Sequence, residues 1–391
     1  MDQELQDIGD ACELVTERIV EPVQGMHRVI SDRVFRYVGP PGAPVRAVHD
    51  PLVEHVYRII PRLARAAGTG AASAVASRNP ELEPVSRSRR GSGWQAAING
   101  LWGDRLARRG NSLAVPLSVR TGPGALDLEP SSLTAAYPAA GRHVVILLHG
   151  LGQTERCWHR GVDGGVQGAL AAIPGLTPLP VRYNTGLPIG QAGDDLAEML
   201  ALIHRNWPVE DPSISLVGYS MGGLMARRAW ATASAAGQAW AMRTRHLITI
   251  GSPHTGSPLA RAAQVGAVAL GLTRTSRPLG DFISGQSPGM KNLRDGAGVA
   301  EAWGGAIAAQ STTATLPLRE HVIAAVVTGD RSHPFGVIAG DLVVRVGSAT
   351  AGSEAAENVR VIGQRRHFDL LTDRQIIEQL VAWLADEAAG D

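Results

Sequence analysis

The sequence contains only two cysteines among 391 residues. Two cysteines do not make a disulfide framework, so both reducing and oxidising compartments remain open. The net charge is +1, and the chain as a whole therefore has no basic surplus of the kind that binds nucleic acid. No apolar run reaches the roughly 18–20 residues that span a bilayer. The first residues, MDQELQDIGDACEL, are acidic and lack a basic region followed by an apolar run, so we expect no secretory signal and a cytoplasmic protein.

The first 140 residues differ in pattern from the remainder, and we predict a helical N-terminal extension over residues 1–140. Within it, apolar residues recur on one helix face in two stripes. One interpretation packs both stripes onto the rest of the chain. The other makes them a basic amphipathic surface that touches a membrane, because arginines lie beside the second stripe. The stretches 68–77 and 86–93 are small, polar or basic and predict loose connections. The first stripe comprises Ile19, Val23, Met26, Ile30 and Val34, and the second comprises Leu52, Val56, Ile59, Ile60 and Leu63.

Strand-like and helix-like segments alternate from Arg142 onward, beginning with the buried-strand pattern HVVILL at 143–148. This alternation predicts an α/β fold in which a mostly parallel sheet is covered by helices on both faces. We therefore predict a second domain over residues 141–391. Between residues 256 and 318 the pattern gives way to sequence rich in Gly, Ala, Ser and Pro. So long an irregular insertion predicts a lid or cap over a site.

The stretch SISLVGYSMGGLMARRA at 213–229 places Ser220 in a G-x-S-x-G pattern between a strand-like run and a helix-like run. Glycine tolerates close packing and unusual backbone angles. The three glycines around the serine therefore let the strand and the helix meet closely and present the serine oxygen at the top of a tight turn. The helix that begins at Met221 also directs its positive dipole end toward the serine. We predict that Ser220 is a nucleophile.

A second G-x-S-x-G pattern, GQSPG at 285–289, serves as an internal control. No strand-like run precedes Ser287, and Pro288 follows it. Proline has no N–H, whereas the N–H of the residue after a nucleophilic serine is one of the two donors to the oxyanion. Ser287 therefore lacks a group that the chemistry needs, and we do not expect it to be a nucleophile.

Two backbone N–H groups are predicted to form an oxyanion hole. One belongs to Met221, directly after the serine. The other belongs to Leu151 in HGLGQ, which follows the first buried strand. Each donor aimed at the oxyanion stabilises a tetrahedral intermediate by roughly 3 kcal/mol. His149 begins the same loop. Because it precedes the donor rather than facing the serine, we expect it to shape the loop by hydrogen bonding.

The general base has to be chosen by position, because the chain contains twelve histidines. His367 follows the last short strand-like segment and precedes the closing helix-like segment. The chain order Ser, acid, His places the base there. His254, which follows the strand-like run HLITI, is the alternative and is expected to be structural.

Two aspartates are candidates for the acid that orients the base. Asp341 opens GDLVVRVGSA, and Asp330 ends the segment VIAAVVTGD. Asp330 lies closer to a strand end, whereas Asp341 precedes a short apolar run that could hold a carboxylate over the site. We favour Asp341 and keep Asp330 as the alternative.

In combination these motifs resemble the α/β-hydrolase family, and within it the bacterial lipases and carboxylesterases, over roughly residues 142–388. HGLGQ resembles the family's oxyanion loop, GYSMGG its nucleophile elbow and GSPHTGSPLA the lipase stretch G-T-P-H-x-G. GDLVVRVGSA resembles an acid loop of the type GDGLVPVxSA, with Leu342 and Arg345 where the family often has Gly and Pro. RRHFDLL resembles a histidine loop of the type N-H-x-x-L. The first 140 residues resemble the helical extension of some uncharacterised actinobacterial hydrolases, which implies no function.

The resemblance implies a serine esterase or lipase with an acyl-enzyme intermediate and a triad of Ser220, Asp341 and His367. Its substrate would be a small-molecule or lipid ester, and no nucleic acid partner is expected. The mechanism requires no metal or organic cofactor; a structural calcium ion, seen in some lipases, and the oligomeric state stay open. A thioesterase, an acyltransferase or a polyester depolymerase would use the same triad. A non-catalytic binding module on the same fold is the alternative outside enzymes.

Overall fold

The computed structural model describes residues 2–78, 88–122, 124–256, 287–295, 318–330, 333, 336, 339–351 and 358–388. These residues form two compact units. Unit 1 comprises the described residues up to Gly91 together with Asp104–Ala114. Unit 2 comprises the remaining described residues.

Unit 1 is built on two long antiparallel helices, α1 (Asp2–Val38) and α2 (Ala43–Arg78). Small residues let the helices approach closely, since a Cβ on Gly68 would lie only 2.8 Å from the Sγ of Cys12. The prediction of a loose connection at 68–77 is therefore wrong. The alanines of this stretch favour helix, and its first glycine lies at the contact between the two helices.

The two apolar stripes of the sequence lie on α1 and α2, and much of their surface is exposed. Ile30 and Leu63, one from each stripe, are 53% and 61% exposed. The predicted helical periodicity is thus present, and both interpretations of what covers the stripes stay predictions. None of the helices in the described part of the chain combines the length and apolarity needed to cross a membrane.

The described residues of unit 2 form one eight-stranded sheet. Its strands are β1 (Ser118–Thr121), β2 (Gly124–Ala125), β3 (His143–Leu148), β4 (Leu176–Arg182), β5 (Ser213–Tyr219), β6 (Thr244–Ile250), β7 (Arg319–Ala325) and β8 (Asn358–Ile362). Their order is β2-β1-β4-β3-β5-β6-β7-β8. The six strands from β4 to β8 in this order run parallel, and β1 pairs antiparallel with β4. The predicted mostly parallel sheet is confirmed.

The sheet begins at β1, inside the region that the sequence pattern assigned to a helical extension. Val119 of β1 pairs with Val181 of β4, so residues after about 115 belong with the sheet, and the predicted boundary at residue 140 falls too late. Strands of four and two residues are too short to show an alternating pattern, which is why the sequence does not indicate them.

Helices cover both faces of the sheet, as predicted. On one face, Leu200 and Trp230 join a core with the buried side chains of β3 and β5. On the other face, Val166 and Leu380 do the same. The remaining helices are α3 (Arg89–Arg108), α4 (Pro130–Ala136), α5 (Gly165–Ala171), α6 (Ile189–Asn206), α7 (Met221–Ala235), α8 (Ala239–Met242), α9 (Pro288–Asp295), α10 (Val346–Ala349) and α11 (Arg374–Ala388).

Most of the predicted lid over residues 256–318 lies outside the described residues. The described part is Gly256, residues 287–295 and Leu318. It includes α9, which contributes to the surroundings of Ser220.

Candidate active site

Ser220 lies between the end of β5 and the start of α7, in a strained turn. Its backbone angles are φ 55° and ψ −118°, a conformation that costs a residue other than glycine about 1–3 kcal/mol. Its N–H donates a 2.8 Å hydrogen bond to the carbonyl of Ile250 at the end of β6. Strain of this kind at a single serine is typical of a nucleophile elbow.

Two glycines around Ser220 are required by close contacts. A Cβ on Gly222 would lie 2.2 Å from the carbonyl oxygen of Leu148, at the end of β3. A Cβ on Gly218 would lie 2.4 Å from the backbone nitrogen of Gly223. Any larger residue would push α7 away from the sheet, so the glycines allow the serine to sit where β3, β5 and β6 end.

The side chains of Ser220, His367 and Asp341 form one hydrogen-bonded line. Nε2 of His367 lies 3.0 Å from Oγ of Ser220, and its Nδ1 lies 2.7 Å from Oδ2 of Asp341. All three residues are at least 95% buried. An ionised carboxylate only accepts hydrogen bonds, so Nδ1–H donates to Asp341. The lone pair of Nε2 is then left to accept the hydroxyl proton of the serine.

The loop after Asp341 holds its carboxylate in place. Oδ1 accepts hydrogen bonds from the N–H groups of Val343 at 2.9 Å and Val344 at 2.7 Å. The backbone carbonyl of Asp341 accepts from the N–H of His367 at 3.0 Å. Leu342 takes the left-handed conformation, with φ 78°, at the position where the resembling acid loops often have glycine. The loop thus holds Leu342 in a conformation that residues other than glycine disfavour.

The alternative acid, Asp330, and the alternative base, His254, have other surroundings. Asp330 is exposed, and its carbonyl accepts the hydroxyl of Thr328 at 2.7 Å. His254 is buried, its backbone N–H donates to Ser348, and burial holds the pKa of its ring well below the ordinary value. Within the described residues, His367 is the hydrogen-bond partner of the Ser220 hydroxyl.

The HGLGQ loop lies against the serine. A Cβ on Gly150 would be 3.2 Å from the Cβ of Ser220. Met221 opens α7, where the first N–H groups have no acceptor within the helix. Within the described part of the chain, neither the N–H of Leu151 nor that of Met221 donates a hydrogen bond. Both groups are therefore free to bind a developing oxyanion.

His149 shapes this loop rather than acting on the serine. Its Nδ1–H donates to the carbonyl of Gly150 at 2.9 Å, and its ring stacks on Tyr183 at 4.3 Å between centroids. The hydroxyl of Tyr183 donates to the carbonyl of His149 at 2.6 Å. Burial lowers the pKa of His149 to about 4, so the ring is neutral at pH 7. This agrees with the role expected from its position in the sequence.

The sequence reasoning missed Tyr219, which contacts the histidine loop. Its hydroxyl donates to the backbone carbonyl of His367 at 2.9 Å, and its ring lies 5.1 Å from the imidazole. A buried tyrosine hydroxyl requires a partner, and this one links the residue before the serine to the base. The available signal was its place directly before Ser220.

The sequence analysis also did not predict the buried ion pair between Arg182 and Glu155. The guanidinium of Arg182, at the end of β4, donates two hydrogen bonds of 2.5 and 2.6 Å to Glu155. Burial alone would raise the pKa of Glu155, but the charge and hydrogen bonds of Arg182 hold it below the ordinary value. Because Glu155 follows HGLGQ closely in the chain, the pair ties the end of this loop to the sheet.

An apolar cluster adjoins the two oxyanion donors. Leu151 packs against a buried group that contains Ile189, Met221, Leu224 and Leu293. Leu293 belongs to α9, the described helix of the predicted lid. An apolar core therefore lies next to Met221, the residue after Ser220, and Leu151 is its partly exposed member.

Part of the chain matches a protein-family model. A family model described as a PGAP1-like alpha/beta domain matches residues 195–280. No curated protein matches the chain.

Several solved structures resemble the chain. The Bacillus licheniformis lipase BlEst2 is 19% identical, with a TM-score of 0.41 over 63% of this chain and 93% of the lipase. A thermostable carboxyl esterase from Bacillus coagulans is 14% identical, with a TM-score of 0.39 over 64% and 90%. The RedJ thioesterase from Streptomyces coelicolor is 18% identical, with a TM-score of 0.34 over 64% and 92%.

Three features of the chain indicate the same fold. The sheet is mostly parallel with helices on both faces. A strained turn carries the serine from strand to helix, and the acid and the histidine follow the serine in the order typical of the family. Together these features give the chain the α/β-hydrolase fold.

Proposed function

We propose that this protein is a serine hydrolase that cleaves carboxylic ester bonds through an acyl-enzyme intermediate. The observation that carries the proposal is the buried hydrogen-bonded line from Ser220 through His367 to Asp341. In this arrangement the serine hydroxyl is next to a neutral nitrogen that accepts its proton, and the carboxylate fixes the tautomer of the ring.

In the acylation step, Oγ of Ser220 attacks the ester carbonyl while Nε2 of His367 takes its proton. The charge on the resulting imidazolium is stabilised by Asp341. The carbonyl oxygen becomes an oxyanion and is bound by the N–H groups of Leu151 and Met221, each worth roughly 3 kcal/mol. The imidazolium then protonates the leaving alcohol, and the acyl group remains on the serine.

In the deacylation step, water takes the place of the alcohol. His367 removes a proton from the water, which attacks the acyl carbonyl, and a second oxyanion forms in the same site. Collapse of this intermediate returns the proton to Oγ of Ser220 and releases the acid. Each step uses groups of this chain and water.

The apolar cluster supports an acyl group of some length as part of the substrate. Leu151, Met221 and Leu293 are within one cluster, and burying each methylene of a chain contributes roughly 0.8 kcal/mol. We propose that Leu151, the partly exposed member of this cluster, contacts the acyl chain. A thioesterase, acyltransferase or polyester depolymerase would use the same groups, and a non-catalytic module would use none of them.

The test is a series of p-nitrophenyl esters from acetate to palmitate, run beside acyl-CoA thioesters of matched chain length. We expect ester hydrolysis that Ser220→Ala abolishes. Faster turnover of thioesters than of esters would favour a thioesterase, and no turnover of either series would favour a binding module.

A further inference from the structure

Two histidines face each other between α1 and α2, in unit 1 and outside the serine site. His27 of α1 and His49 of α2 line a cavity of about 290 Å³, together with polar and charged side chains. Both are half-buried, so solvent reaches them. The charged groups of the lining are three carboxylates and two guanidinium groups: Asp32, Asp50, Glu54, Arg28 and Arg46.

A chain of four side chains fixes where the protons of this pair lie. Nδ1 of His49 is 2.9 Å from the carboxylate of Asp50, which only accepts. His49 therefore keeps its proton on Nδ1 and has a lone pair on Nε2. Nε2 of His27 lies 3.3 Å from Nε2 of His49 and donates its hydrogen to that lone pair. Nδ1 of His27 then accepts from the hydroxyl of Tyr57 at 3.0 Å.

The spacing of the two Nε2 atoms is that of two ligands on one ion. Zinc binds imidazole nitrogen at about 2.0–2.1 Å in tetrahedral geometry, which places two such nitrogens about 3.3–3.4 Å apart. The observed separation is 3.3 Å. A cation can thus replace the one proton that the two nitrogens share. His27 then changes tautomer and donates from Nδ1 to the hydroxyl of Tyr57, which accepts as readily as it donates.

The other nitrogen of each ring already has the partner that a metal site needs. A ligating histidine usually donates its second N–H to a carboxylate or another oxygen, which orients the ring. Asp50 serves His49 in this way and is itself held by Arg46 at 3.0 Å. Tyr57 serves His27, and the ring of Phe35 packs edge-on against His49.

We propose that His27 and His49 form a binding site for a divalent transition-metal cation of the zinc type, which links α1 to α2. Imidazole pairs favour Zn²⁺, Ni²⁺ and Cu²⁺ over Ca²⁺ and Mg²⁺. The described residues contain no group of three or more His, Cys, Asp or Glu side chains that could hold a metal ion. The site therefore has two protein ligands and completes its shell with water, and it binds more weakly than a closed four-ligand zinc site.

The test is calorimetric titration of the full-length protein with ZnCl₂ and, separately, with CaCl₂. We expect saturable binding of Zn²⁺ and none of Ca²⁺. His27→Gln and His49→Gln should each weaken Zn²⁺ binding by at least about tenfold, since even loss of a ligand's supporting partner costs roughly 10–100-fold. His55→Gln is the matched control, because His55 is exposed on the same helix as His49 and outside the pair; it should bind as the wild type does.

A second measurement needs no variant. Co²⁺ held by two histidines and water should give visible absorption bands that Zn²⁺ then displaces from the wild-type protein. Absence of these bands, absence of saturable Zn²⁺ binding, or binding left unchanged by both His27→Gln and His49→Gln would overturn the proposal. None of these readouts depends on ester hydrolysis.

Discussion

Replacing Asp341 with asparagine should trap His367 in the wrong tautomer. In the wild type, Oδ1 of Asp341 accepts from the N–H groups of Val343 and Val344, while Oδ2 faces His367. The amide oxygen of an asparagine will take the place of Oδ1, because those two N–H groups need an acceptor. Its NH₂ group then points at Nδ1 of His367. Nδ1 has to accept, the proton moves to Nε2, and Nε2 can no longer take the proton of Ser220.

The loss of activity expected in Asp341→Asn follows from the free-energy cost of the other orientation of the asparagine amide. Turning the amide around restores the useful tautomer but leaves the N–H groups of Val343 and Val344 without an acceptor, at about 1–3 kcal/mol each. The total of about 2–6 kcal/mol corresponds to a loss of activity between about 30-fold and on the order of 10⁴-fold. We expect the upper end, since a triad whose histidine is held in the wrong tautomer loses about 10⁴ in kcat.

The assay is kcat/KM for p-nitrophenyl butyrate, with circular dichroism to verify folding. Asp330→Asn is the matched control, because it makes the same chemical change at an exposed aspartate; it should change the rate little. A larger loss in Asp330→Asn than in Asp341→Asn would refute the assignment of the acid, and so would a loss in Asp341→Asn of less than about threefold.

Three further predictions concern other parts of the chain. Burial lowers the pKa of His246 to about 3 and of His321 to about 4. Below pH 6.5 the unfolded chain therefore binds more protons than the folded chain. The free energy of unfolding should fall with pH in this range, by about 2 kcal/mol per histidine at pH 5. Urea titrations at pH 7 and pH 5 measure this, and equal stability would contradict it. Tyr219→Phe removes the hydrogen bond to the carbonyl of His367 and should lower kcat about 3- to 10-fold with KM nearly unchanged, in line with the loss of about 1 kcal/mol for one hydrogen bond; a change confined to KM would count against this positioning role. The interpretation of the apolar stripes as a membrane contact predicts that Ile30→Glu reduces co-sedimentation with anionic vesicles and leaves hydrolysis of soluble esters intact. Unchanged sedimentation would exclude Ile30 from such a contact.

The sequence predicted those residues of the candidate site that a local motif or the chain order marks. Ser220 is preceded by a strand and followed by a helix, and these elements are visible as periodicity. Ser287 fits the same five-residue pattern, but Pro288 follows it. In the structure its hydroxyl donates to the carbonyl of Gly100 at 2.7 Å, so this serine makes a structural contact with a segment 187 residues earlier in the chain. His367 could be chosen from twelve histidines because chain order restricts the base to the last loop.

The sequence did not indicate features that depend on tertiary contact. Asp330 ends a strand-like segment and Asp341 precedes a short apolar run, and only the folding of the loop after Asp341 decides which carboxylate faces the histidine. The contacts of Tyr219 and of the Glu155–Arg182 pair join residues 27 to 148 positions apart, which no local pattern records. The short strand β1 was missed for the opposite reason, because four residues are too few to establish a period.

The most direct test of the proposed nucleophile is covalent labelling. Diethyl p-nitrophenyl phosphate phosphorylates an activated serine irreversibly, and peptide mapping by mass spectrometry locates the adduct. We predict a single adduct on Ser220 in the wild type and in Ser287→Ala, and none in Ser220→Ala. Labelling of Ser287, or a wild-type protein that remains unlabelled while correctly folded, would contradict the proposal that Ser220 is the activated nucleophile of this fold.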